Sequence, residues 1–100
     1  MDTADPATQK QLVNLLEREA ARHGITYHQL RHRNIGDAHW VEVHLLFADG
    51  TALTDAHRIA TEIETVVENT LEPKAVMTTH LEPAAEHDHI HLHERSRPGN

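Results

Sequence analysis

The amino-acid sequence predicts an α+β domain of order α-β-β-α-β, with two helices on one face of a three-stranded mixed sheet. Two segments repeat apolar residues at the helical period, and three others show the alternation of strands. Strong breakers stand between them: Gly24, the run Asn34-Ile35-Gly36-Asp37, Asp49-Gly50 and Pro73. A chain of 100 residues allows one domain with a modest core.

The first helix starts at Asp5-Pro6, with Asp as N-cap and Pro at the first helical position. Leu12, Val13, Leu16 and Ala20 follow at helical spacing, and Gly24 supplies the stop, so the helix runs from Pro6 to His23. Ile25 to Arg33 reads as a strand, with Thr26, His28, Leu30 and His32 expected on one face. The turn at 34–37 makes a hairpin with a second strand, His39 to Phe47. Val41, Val43, Leu45 and Phe47 of that strand should meet the core; Trp40, Glu42, His44 and Leu46 form its other face. The second helix begins near Thr51 to Thr54. Its apolar stripe is Ala56, Ile59, Ala60, Ile63, Val66, Val67 and Thr70, and Pro73 ends it. Lys74 to Glu82 is the third strand, with Val76, Thr78, His80 and Glu82 on one face. A right-handed crossover through the second helix is expected to bring the third strand alongside the first, parallel to it. This is a ferredoxin-like arrangement. It leaves one sheet face bare, with His28, Trp40, His44 and His80 on or near it, and such a face invites a partner or ligand.

Composition excludes several functions. Sixteen acidic residues against nine basic ones give a net charge of −7, the wrong sign for a nucleic-acid binder. No apolar run approaches the roughly 20 residues of a membrane span, so this segment should not insert into a bilayer. There is no signal-peptide pattern. Without cysteine there is neither a disulfide framework nor a thiolate metal site. No Gly-x-Ser-x-Gly, His-Glu-x-x-His or phosphate-binding Gly loop is present, so the chain is not expected to be an enzyme.

The excess is in histidine, 11 residues in all. Neutral imidazoles with a carboxylate suit zinc and its neighbours in the first transition row. Five candidate ligands sit on predicted elements: His28, His44, His57, His80 and Glu82. Each has a plainer explanation. His80 and Glu82, two apart and on the same side, fit a solvated strand end. His44 fits a satisfied structural histidine, His57 a helix-boundary residue and His28 a polar strand residue. The predicted topology nevertheless gathers them on one side and edge of the sheet. A second pattern, Glu86-His87-Asp88-His89-Ile90-His91-Leu92-His93, alternates histidine in a polar tail. His87, His89, His91 and His93 are weak metal ligands there or only a solubilising run. His23, His32 and His39 are expected at the surface.

Several stretches, in this order, resemble the cytoplasmic C-terminal domain of the cation diffusion facilitator family of divalent-metal efflux transporters. They are His28-Gln29-Leu30-Arg31-His32-Arg33, Gly36 through Leu45, Ala56-His57-Arg58-Ile59-Ala60 and Val76 through Pro83. The segment Met1 to Pro6 resembles the acidic linker after the last membrane helix of that family. The resemblance implies a ferredoxin-like module forming a V-shaped homodimer; the bare sheet face bearing Trp40 is expected to provide the dimer interface. The resemblance implies a linker over 1–6 and a regulatory and dimerisation domain over 7–83; the polar, charged composition beyond it predicts a disordered His-rich tail over 84–100. The resemblance also implies a divalent metal, zinc first and Cd²⁺, Co²⁺, Ni²⁺, Fe²⁺ or Mn²⁺ as alternatives, held by His28, His44, His57, His80 and Glu82. Glu82 stands where Asp is common in the family. The other partner implied is the transporter's own transmembrane domain, which would place this domain on the cytoplasmic face of the inner membrane. The expected function is metal sensing that closes the dimer and regulates transport. The alternative is a free-standing cytosolic metal buffer or metallochaperone.

Overall fold

A computed structural model describes residues 5–84, so the tail histidines at 87, 89, 91 and 93 lie outside the described residues. The element order is α1 (Pro6–His23), β1 (Thr26–Asn34), β2 (His39–Phe47), α2 (Leu53–Thr70) and β3 (Ala75–Pro83). Asp5 caps α1: its carboxylate accepts from the Thr8 amide at 3.1 Å and the Thr8 hydroxyl at 2.8 Å. Gly24 closes the helix in the left-handed region at φ 70°, where its amide reaches the Ala20 and Ala21 carbonyls. α2 starts at Ala52 without a side-chain cap, so packing rather than local chemistry fixes its start.

The three strands form one sheet in the order β1-β2-β3. β1 and β2 pair antiparallel, and β2 and β3 pair parallel. This corrects the expected placement of the third strand beside the first. The crossover helix lays β3 down next to β2, the strand it left. β2 carries an unbroken buried row of Val41, Val43, Leu45 and Phe47, so it gains most from two neighbours. β1 is the less regular template, because its ladder shifts register between His28 and Arg31.

That shift is a β-bulge at Gln29, whose φ is 54°. It corrects the predicted face of the first strand. Before the bulge, Tyr27 pairs with Leu45 and His28 with His44; after it, Arg31 pairs with Glu42 and His32 with Val41. Tyr27, Leu30 and His32 therefore lie toward the helices, while His28 and Arg31 lie on the bare face.

Both helices cover the other face. The core joins Leu12, Leu15 and Leu16 of α1 to the β2 row and to Ala56, Ala60, Ile63 and Val67 of α2. Leu71, Ala75 and Met77 complete it. Thr70, expected in the helix stripe, is exposed, and its hydroxyl donates to the Val66 carbonyl at 2.6 Å. Among the described residues no helix is long and apolar enough to cross a membrane.

Candidate metal centre

The uncovered sheet face is built by register. In the parallel pair Trp40 stands opposite Val76, Glu42 opposite Thr78, His44 opposite His80 and Leu46 opposite Glu82. On the other side of β2, His28 is paired with His44. Three strands thus deliver their chemistry to one spot near the end of the sheet.

Glu82 bridges two imidazoles there. One carboxylate oxygen accepts from His44 Nδ1 in a very short hydrogen bond, and the other lies 3.3 Å from His28 Nε2. The His44 hydrogen bond, followed by that from His28, holds the Glu82 carboxyl below its ordinary value of 4.5 and outweighs partial burial. The rings of His28 and His44 meet edge to face at 5.3 Å, and His80 stacks on His44 at 4.5 Å. His28, His44 and Glu82 each offer a ligand atom within 4.8 Å of the others. Two imidazoles and an already ionised carboxylate, half-buried and converging, fit a borderline divalent cation. Binding one would displace the protons that now point at Glu82.

The other candidate ligands lie around this group. His80 directs Nε2 to Glu42, 2.5 Å away. Glu42 was not singled out in the sequence, although Glu42-x-His44 puts both residues on one face. His57 is exposed on α2, in the layer that covers the opposite face. Trp40 lies on the bare face with the Arg33 guanidinium 4.6 Å from its ring centre.

Three histidines read as surface residues are not so. His32 and His39 are buried toward the helices at 8% and 1% exposure. His23 is tucked between the helices, 3.5 Å from Glu62 and 3.9 Å from Glu19. The bulge explains His32. His39 is held as the first residue of β2, where its amide donates to the Lys74 carbonyl.

The architecture is thus a mixed three-stranded sheet under two helices, with an imidazole–carboxylate group on its open face. The family model of the cation efflux protein cytoplasmic domain matches residues 4–84. The chain belongs to that family, the cytoplasmic domains of cation diffusion facilitators. No curated protein sequence matches it. Among solved structures it is similar to CzrB in its Zn form, with 26% identity and a TM-score of 0.74 over 86% of this chain and 97% of that one. The metal-bound C-terminal domain of CzcD from Thermotoga maritima shares the fold at 19% identity and TM-score 0.65, over 76% of this chain and 91% of that one. A cadmium form of the MamM C-terminal domain does so at 17% identity and TM-score 0.61, over 75% and 95%.

Proposed function

We propose that this domain senses divalent metal, zinc first, for an efflux transporter, and that it works as a homodimer on the cytoplasmic face of the inner membrane. The observation that carries the reading is the convergence of His28, His44 and Glu82 from three different strands. A bound cation supplies a positive centre that draws these donors together. His28 and His44 give up the protons now shared with Glu82, so the group responds to pH as well as to metal. His80 and His57 complete the ligand set in this reading. His57 sits in the helix layer of its own chain and would reach the group only from a second copy. The bare face around Trp40 provides the surface on which that copy packs, giving the V-shaped dimer. Ligands divided between two copies bind one relative arrangement better than others, and that difference in affinity is what a switch requires. In a transporter the closed arrangement would reach the membrane helices through the segment 1–6.

Calorimetric titration of Zn²⁺ into the metal-free chain, and into a chain ending at Ala84, tests this. A tight site that persists after truncation and disappears in Glu82→Ala supports the core group. A tight site lost on truncation would assign the metal to His87, His89, His91 and His93 instead. Sedimentation at micromolar concentration should show a dimer before metal is added; a strict monomer with and without Zn²⁺ would remove the switch.

A further inference from the structure

On the helix-covered side of the sheet lies a second histidine pair that the metal group does not use. His32 Nε2 is 3.1 Å from His39 Nδ1, His39 Nε2 is 3.2 Å from the Glu72 carbonyl, and His32 Nδ1 is 3.0 Å from Gln9 Oε1. The chain of contacts joins four places: the first turns of α1, β1, the start of β2 and the loop between α2 and β3. All four ring nitrogens have a partner, so no cation is needed to explain the pair.

The positions of the protons follow from the ends. A carbonyl oxygen only accepts, so His39 Nε2 carries a hydrogen. A neutral His39 then offers a lone pair at Nδ1, and His32 Nε2–H donates to it. A neutral His32 offers its own lone pair at Nδ1, which requires an N–H from Gln9. With the amide oxygen turned to the ring, Nδ1 must carry a hydrogen, and the pair as a whole then holds one extra proton, on either ring at their shared contact. The amide oxygen and nitrogen are interchangeable by a half turn of the side chain. One added proton thus has one place to go, His32 Nδ1, accompanied by a turn of Gln9. A second would set N–H against N–H across the contact between the two rings.

We propose that His32 and His39 form a buried relay that takes up a single proton, read out by the orientation of the Gln9 amide, and that a second proton releases the end of the domain where α1 begins. Among the described residues, Asp5 and His39 are the groups whose charge bears on His32. Asp5, at the N-cap of α1, attracts a proton to both rings. Arg31 and Arg33 of β1 stand on the opposite face beside Glu42 and Trp40. From the loop before β3, Glu72 and Lys74 contribute backbone carbonyls. Burial first, then the neighbouring His39, holds His32 below the ordinary histidine value of 6.5, against the pull of Asp5.

The test is a pH titration of the full chain, labelled with ¹⁵N-histidine and kept metal-free with a chelator, so that its outcome is separate from that of the metal-sensing reading. Ring nitrogen shifts should show His32 and His39 titrating as one unit that takes up one proton. Gln9→Glu places an acceptor-only carboxylate against His32 Nδ1 and should raise the midpoint by at least one pH unit. Gln9→Met removes the partner and should lower it. Both changes lie in a half-buried first turn and spare the core. Two protons taken up independently of one another would overturn the relay. So would a Gln9→Glu midpoint equal to that of the unaltered chain.

Discussion

His28 and His32 stand four residues apart on β1 yet face opposite sides of the sheet. His28 shares a carboxylate with His44 on the open face, where solvent can reach it. His32 is buried against α1, bonded to an amide and to another imidazole. Without the bulge, positions i and i+4 of a strand would share a face. The extra residue at Gln29 separates a site that can exchange ligands from a network closed within the fold. The chemistry of a histidine here is set by the phase of its strand, not by its residue type.

Deleting Gln29 is the most direct way to break this difference. It restores strict alternation, so either His28 turns into the core or the Leu30–His32 half turns out of it. We expect a loss of about 3 kcal/mol or more, the range for a buried polar group without partners or a lost core contact. Urea denaturation measures it; unchanged stability would show that the bulge does not set the faces.

Glu82→Gln should act on the open site alone. Removing the ionised oxygen should weaken metal binding by about 100-fold or more, since even outer partners of a metal site contribute 10–100-fold. Stability of the metal-free chain should shift by under about 1 kcal/mol, because the group is only half-buried. An unchanged affinity would remove Glu82 from the ligand set.

Acid should distinguish the two regions. His32 has a lowered value in the fold, so the folded state binds fewer protons than the unfolded one. Its contribution is full above about 6.5 and declines as pH falls below that. Glu82 is also lowered, so its contribution is full above 4.5 and declines below it. Unfolding midpoints taken from pH 8 to 2 should therefore fall in two stages, with Glu82→Gln weakening only the lower one. A single descent unaffected by that change would contradict the separation.

The smallest expected effect is that of Arg33→Ala. It removes the guanidinium from the Trp40 ring, worth about 0.5–1 kcal/mol at an exposed site. Metal affinity should stay within twofold; a larger fall would tie this part of the face to the metal group.

Much of the molecule was legible where local chemistry and burial agree. Asp5-Pro6 and Gly24 mark α1 at both ends, and the alternation of β2 reads true because a central strand over two helices must bury one row. The face assigned to β3 holds for the same reason. β1 was misread because its bulge falls on Gln29, which carries no glycine signal for a positive φ. The strand order was missed because the crossover rule fixes hand and direction but not which neighbour receives β3. His32 and His39 were misplaced because hydrogen bonds that reconcile imidazoles to burial come from Gln9 and Glu72, far away in sequence. For the site, alternation put His44, His80 and Glu82 on one face, and the family resemblance implied the five-residue set, of which His28, His44 and Glu82 converge. Glu42 was missed because its partner His80 lies on a strand 38 residues away.

The carboxylate that joins the two imidazoles stands on the final strand of the described fold. As the chain emerges during synthesis, β1 and β2 come first and can close as a hairpin, bringing His28 beside His44. Glu82 follows His44 by 38 residues, and α2 must fold back over the sheet before it arrives. Until then the imidazoles lack the carboxylate that joins them. If the metal-sensing proposal holds, growing chains and partly degraded ones lacking β3 would stay out of the competition for metal, and only finished domains would enter it.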